Sequence, residues 1–466
     1  MEEIMTNLLK QPRGFYRGVF SLMAPLILQN VISQTIALAD AFMVGLTGEA
    51  SLAAVTLANT PFFVLMVLTF GIQSGVGILI AQYWGRQNKG AISRVIGVGT
   101  YVALAVSLLV AVIMLIFPRE ILRLVSDDDG LLDLAVDYAR IVGVSQVFAS
   151  LTQIYIAAQR SCENPKLGVI VLSSSSLINI FGNWLLIFGS ETLGIAPMGI
   201  VGAAVATLAA RIIEFIVVVA YAMLNRHLRL ELRLFFRPGM IIVRDFIKYS
   251  LPVVINEALW GVSLMLYPVI LGHMPSSAAL LAAYNIAGNV EKLFTVAVFA
   301  TGSAVSVMIG KELGAGNTKG VYSIAKSLAA TGFLLGLGSG VLLLVATLTV
   351  VREYIYPLFQ MSPDAASAAT SMLLVLSAVV PLRNGGFAIG IGILRGGGDV
   401  RAVMLIDCLS LYVLALPMAA ISGLVLGAGI AVVYSSVLLE EVAKTGILIV
   451  RMRTKKWIKN VTRDAV

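Results

Sequence analysis

The chain repeats itself. Residues 25–90 read PLILQNVISQTIALADAFMVG, then an apolar stretch, then AQYWGRQNKG; residues 252–320 read PVVINEALWGVSLMLYPVILG, then an apolar stretch, then GKELGAGNTKG. Pro25 aligns with Pro252, Leu52-Ala53-Ala54 with Leu281-Ala282-Ala283, and Gly85 with Gly314. Further on, Gln159-Arg160-Ser161 meets Leu394-Arg395-Gly396 at nearly the same offset. Whatever the first half folds into, the second must fold into as well. In a membrane chain, such duplication is the plan of many secondary transporters, with the substrate site near the repeat interface.

That this is a membrane chain follows from its composition. Hydrophobic residues make up 59% and charged residues 12%, where a soluble domain carries about 25% charge. Apolar runs long enough to cross a hydrocarbon core about 30 Å thick recur throughout. The pattern predicts spans at 18–44, 52–82, 93–117, 132–159, 167–188, 198–224, 247–271, 277–309, 321–350, 366–394, 400–424 and 427–450. No ten-residue alternating strands occur, which excludes an outer-membrane barrel. The expectation is an all-α integral membrane protein with twelve transmembrane helices, arranged as two six-helix lobes. An even span count gives both halves the same orientation, so the lobes are related by a parallel pseudo-two-fold repeat.

The expected divisions are a tail at 1–17, a first lobe at 18–224, a linker at 225–246, a second lobe at 247–450 and a basic tail at 451–466. The linker sequence carries Arg226, Arg229, Arg233, Arg237 and Arg244 between apolar residues. It reads either as a short amphipathic helix at the interface, ending near Arg237-Pro238-Gly239, or as a plain basic connector. Lysines and arginines concentrate in the tails and the even-to-odd loops; only Arg119, Arg123, Arg140 and Arg352 fall on the other side. This puts both termini in the cytoplasm of a multi-pass inner or plasma membrane protein. The net charge of +8 is therefore a topology signal, with the tail RMRTKKWIKNVTR resting against anionic lipid, and no nucleic-acid partner is expected.

Catalytic signatures are missing. His227 and His273 stand alone, and neither a nucleophile elbow nor HExxH occurs, so no enzyme is expected. The glycine turns at 85–90 and 314–320 follow no strand and are not phosphate loops. In the turns QRSCENPK and LRGGGDVR, Arg160 and Arg395 fit the headgroup level.

Charges inside spans are costly and functional by default. Asp40 lies near the end of span 1 with no basic residue within several turns. It can take up a proton or ligate Na+ with neutral oxygens; the alternative is an interfacial Asp that caps the span. Span 5 carries Asn179 and Asn183 one turn apart on one face, and span 6 carries Thr207. In the second half, Glu257, Glu291, Lys292, Arg383 and Asp407 form a candidate polar network in which Arg383 neutralises Glu257, Glu291 or Asp407. Gln34, Phe42, Met43, Asn59 and Gln73 are candidate cavity residues of the first half, and Asn285 and Asn289 of the second. Pro25, Pro61, Pro252, Pro268 and Pro417 are candidate bending points.

The motifs ALADAFMVG, LAAVTLAN, NIFGNWLLIFG, GIVGAAVAT and GILRGGGD, in this order on a duplicated chain, resemble those of multidrug and toxic compound extrusion (MATE) transporters, over essentially the whole length. The resemblance implies two six-helix lobes and export of organic cations or amphiphiles by a monomer, driven by H+ or Na+ and needing no other cofactor. It also implies a first-lobe cation site from a span 1 Asp, an Asn and an Asp on span 5, and a Thr on span 6. Asp40, Asn179 and Thr207 match; Asn183 stands where the second acid belongs. One formal charge remains, which weakens a Na+ site and favours the proton. The family often carries an acid in span 10, where this chain has Arg383. A competing reading is a flippase for lipid-linked intermediates, whose cavity cations would be Arg383, Lys292 and Arg211, or an exporter dedicated to a natural product.

Overall fold

The computed structural model describes residues 11–225, 228 and 230–463. Arg226, Arg229 and His227, and most of the predicted first tail, lie outside the described residues. Twelve long helices follow one another: α1 Arg13–Gly45, α2 Glu49–Gly85, α3 Lys89–Ile116, α4 Asp129–Ser161, α5 Lys166–Phe188, α6 Gly199–Leu224, α7 Met240–Gly272, α8 Ser277–Gly314, α9 Val321–Leu358, α10 Pro363–Arg395, α11 Val400–Val425 and α12 Ile430–Arg453. Each coincides with one predicted span to within a few residues at most ends. Eleven are long and apolar enough to cross a membrane. The remaining one, α12, carries Glu440, Glu441 and Lys444 within two turns, and those charges belong to a site described below.

Helix ends follow local chemistry. Asn88 caps α3 through its side chain, which accepts from the Ala91 N–H, and Asp128 caps α4 by accepting from Gly130 and Leu131. Several spans include widened π-helical turns: Thr347–Ile355, Ala388–Arg395, Leu409–Ala415 and Ile421–Val425. Such turns lie at functional positions more often than elsewhere, and Ala388–Arg395 carries Arg395 to the site.

The chain divides into two compact units. One holds Leu28–Val254, the other Ile255–Thr462 together with the start of α1 up to Ile27. The first has its core where α2, α3, α4, α5 and α6 meet, around Leu57, Phe62, Met114, Tyr138, Val142, Ile187 and Ile200. The second has two cores, one around Tyr267, Met372, Leu376 and Tyr434, the other joining Val19, Leu22 and Met23 of α1 to Ile309, Leu328 and Ile393. Large apolar side chains such as Leu38, Leu109, Leu177, Leu293 and Val413 remain exposed, as expected of helices that are apolar all round and face hydrocarbon.

Among its described residues the linker forms the five-residue helix Leu232–Phe236, and α7 starts at Met240, ahead of the predicted residue 247. It is pinned to α3: the Glu231 N–H donates to Ser93 at 3.1 Å, Arg94 to the Pro238 carbonyl at 3.3 Å, and Tyr101 to the Phe236 carbonyl at 3.3 Å. These bonds satisfy backbone groups that a longer amphipathic helix would have satisfied internally.

The basic tail, read from sequence as an anchor against lipid, folds onto the protein. Trp457 is fully buried among α8, α10 and α12 residues and donates to the Met452 carbonyl at 2.9 Å. Gly397 permits this, since a side chain there would strike the Trp457 carbonyl. Arg451 and Lys459 grip the buried Asp399 at 2.7 and 2.8 Å. Burial opposes charge on Asp399, but these bonds outweigh it and hold its carboxyl below the usual range.

Candidate functional site

In the first unit, α5 and α6 pack closely. A side chain at Gly182 would press on Ala206, and one at Gly202 would strike the Leu186 carbonyl; small residues let helix backbones approach in a membrane. This closeness brings two polar stripes together. Ser175, Asn179 and Asn183 repeat every fourth residue on α5, and Thr207, Arg211 and Glu214 share a face of α6. Asn183 Nδ2 donates to Asp40 Oδ1 of α1 at 2.6 Å, Asn179 Nδ2 to Thr207 Oγ1 at 3.2 Å, and Ser175 Oγ to Glu214 Oε2 at 3.1 Å. Arg211 Nη1 donates to the same Glu214 oxygen at 2.7 Å.

The acceptor side of this ladder is open. Asn179 Oδ1, Asn183 Oδ1 and Glu214 Oε1 are buried and have no hydrogen-bond partner. Each such oxygen costs about 1–3 kcal/mol if left so. A carboxylate with amide and hydroxyl oxygens around it is a hard-oxygen set suited to a proton or Na+. The four residues expected to form a cation site, Asp40, Asn179, Asn183 and Thr207, therefore stand together.

The second unit holds a cavity of about 440 Å³ lined by α7, α8, α10, α11 and α12, within the usual range of about 300–1,000 Å³ for ligand pockets. Two charge clusters make its polar wall. Arg395 Nη1 donates to Glu257 Oε1 at 2.7 Å, its Nη2 lies 3.6 Å from Asp407, and Asn256 Nδ2 donates to Asp407 at 3.0 Å. Arg383 pairs with Glu291, and its Nε donates to Glu441 at 3.2 Å. Lys444 then bridges Glu441 at 2.8 Å and Glu440 at 3.3 Å. Trp260, Tyr284, Phe299 and Tyr412 add aromatic faces to the wall.

Of the three carboxylates offered as alternatives for Arg383, it pairs with Glu291, and Glu441 joins it. Two other placements differ from the reading of the sequence. Glu257 and Asp407 belong to Arg395, whose side chain is 2% exposed and buried among those of the unit. Met43 packs against the apolar core of the first unit. Asn285 and Asn289 line the second cavity, and Lys292 donates to Asn289 there. Asn59 donates to the Val55 carbonyl on its own helix, Gln34 and Phe42 are exposed, and Gln73 is partly buried. Sequence reading missed Glu214, Glu440 and Glu441. The signal was present: each acid has a base three or four residues away, Arg211 or Lys444.

Duplicated polytopic halves with buried charges and a ligand-sized cavity define a membrane transporter. The chain belongs to the MatE family, whose model matches residues 25–185 and 252–421, once in each half. Among curated sequences it is similar to the uncharacterized transporter YisQ of Bacillus subtilis (strain 168), with 23% identity over 97% of both chains. Among solved structures it is similar to a MOP superfamily transporter from Pyrococcus furiosus, with a TM-score of 0.84, 19% identity and 96% of each chain covered. The eukaryotic MATE transporter AtDTX14 gives a TM-score of 0.81 at 18% identity over 98% of each chain. These likenesses establish the two-lobe fold of a multi-pass membrane protein.

Proposed function

We propose that the protein is a secondary antiporter that exports organic cations or cationic amphiphiles across the cell membrane in exchange for H+ or Na+, by alternating access and with both termini cytoplasmic. The observation that carries this reading is Asp40: a carboxylate in an apolar helix, held by Asn183 at 2.6 Å, beside amide oxygens that have no donor. Such a group binds a small cation or a proton and releases it when its surroundings change. The second unit's cavity supplies the other requirement, acids and aromatic faces that attract an organic cation. Coupling needs only that ion and substrate disfavour each other's binding, and linkage makes that effect reciprocal.

The test is ethidium movement in liposomes containing the purified protein, under a pH gradient or a Na+ gradient. Movement under either gradient, lost in Asp40→Asn, is the expected result. Equal movement in Asp40→Asn would remove Asp40 from the mechanism, and no movement under either gradient would overturn the antiport reading.

A further inference from the structure

The first-unit site holds a second acid, although Asn183 has replaced the one expected on α5. Glu214 has a side chain that is 0% exposed, and it faces the same ladder as Asp40. One of its oxygens takes both Ser175 and Arg211; the other has no partner. Arg211 itself is 34% exposed and offers Glu214 only Nη1. Its charge is also felt at Asp40. The ladder from Asn183 to Ser175 runs eight residues of α5, about 12 Å, so Asp40 and Glu214 stand at its two ends, with Arg211 bonded to Glu214.

We propose that Arg211 is the resident cation of this site: it sequesters Glu214, so the site offers an exchangeable ion one carboxylate only, and it thereby selects a proton over Na+. The proposal deepens the reading of Asp40 as the coupling acid and rests on it. Two ionised carboxylates and one guanidinium leave a net charge of −1. A proton neutralises Asp40 by binding one oxygen. Na+ must be enclosed by several oxygens and is favoured by a second carboxylate, and the second carboxylate is committed to Arg211. The groups that face the pair are Asp40 from α1, Ser175, Asn179 and Asn183 from α5, and Thr207 on α6; Tyr138 of α4 lies close enough to feel the Asp40 charge. Arg211 is thus a positioning residue, acting on the ion through Glu214 and Asp40.

The test is thermal unfolding of the purified protein in NaCl against choline chloride, which needs no substrate. Wild type should show no Na+-specific shift. Arg211→Gln, which frees Glu214, should gain a saturable Na+-specific rise of several degrees, and adding Asp40→Asn should abolish it. A Na+-specific rise already present in wild type, or none in a folded Arg211→Gln, would overturn the proposal. Should Arg211→Gln not fold, liposome transport of two further variants decides. Glu214→Gln releases Arg211 to neutralise Asp40 and should lose transport while folded; Arg211→Gln with Glu214→Gln restores the charge balance and should regain proton-driven transport. Equal activity in all three folded proteins would overturn it. Ethidium transport that fails in wild type, by contrast, counts against the antiport reading and leaves the Na+ result standing.

Discussion

Arg395 and Glu257, 138 residues apart in sequence, form a 2.7 Å ion pair with side chains only 2% and 8% exposed. The arginine ends the π-helical turn of α10 and the acid sits on α7, five residues after Pro252. Asp407 on α11 completes the cluster.

Breaking one side of a buried pair leaves an uncompensated charge. Arg395→Gln should therefore destabilise the protein by about 3–5 kcal/mol. Arg395→Gln combined with Glu257→Gln should recover part of that loss, because the orphaned charge is gone. Thermal unfolding of the two variants checks this; a double variant no better than the single one would show that the pair's geometry matters more than its charge.

The Arg383 cluster should respond more mildly. Glu441 accepts from Arg383 and Lys444, but Arg383 keeps Glu291 and Lys444 keeps Glu440 when Glu441 is neutralised. Glu441→Gln should cost about 1.5–3 kcal/mol, the scale of a hydrogen bond to a charged group. Arg383→Met leaves Glu291 without its cation and Glu441 with Lys444 alone, and should cost more. Unfolding temperatures of the two variants give the order.

Fold and site were not equally legible. Duplication and hydropathy place every span, because a span is a local property: some twenty apolar residues in a row. Asp40, Asn179, Asn183 and Thr207 come together as expected, since each lies on a helix whose register the pattern fixes. Arg383 and Arg395 show where such reading stops. Both are single cations near glycines, and only the packing of α7, α8, α10, α11 and α12 decides which carboxylate each one reaches. Glu441 escaped because α12 reads as a span in spite of its charges. The tail around Trp457 reads as a lipid anchor because its lysines and arginines suit anionic lipid; the burial of Trp457 depends on the space above Gly397, which no local pattern reports.

The docked tail contributes to stability. Trp457 is fully buried and its indole N–H is satisfied. Trp457→Ala should cost about 3–5 kcal/mol, the usual loss for a large buried aromatic side chain. A tail lying free against lipid would lose almost nothing. The unfolding temperature in detergent, where no anionic lipid is present, separates the two.

Asp399 gives that docking a pH dependence. Its folded carboxyl lies below the ordinary value of 3.8 because Arg451 and Lys459 outweigh its burial. A lowered acid contributes stability that is complete above the ordinary value and lost as pH falls through the folded one. The contribution should therefore be constant from neutral pH down to about 4 and vanish below that. In Asp399→Asn the unfolding temperature should start lower at pH 7 and fall less steeply below pH 4. Parallel curves for wild type and variant would show that the Arg451 and Lys459 contacts carry no charge-dependent stability.

The approach of α5 and α6 should govern the first-unit site more strictly than any single polar group. A side chain at Gly202 would meet the Leu186 carbonyl at 2.5 Å and the Ile187 nitrogen at 3.0 Å, so backbone and not a flexible side chain must yield. Gly202→Val should push the helices apart, and inserting bulk into so tight a contact costs about 1–3 kcal/mol. The Asn179–Thr207 bond is already 3.2 Å long and would be lost to a small further separation, while Asp40 would keep its identity and its helix. Gly202→Ala, with one methyl, should produce the same loss to a smaller extent. Ion-driven ethidium transport should thus fall in the order wild type, Gly202→Ala, Gly202→Val, with both variants still folded by their unfolding curves. Full transport in a folded Gly202→Val would mean that the α5–α6 ladder is not what holds the ion.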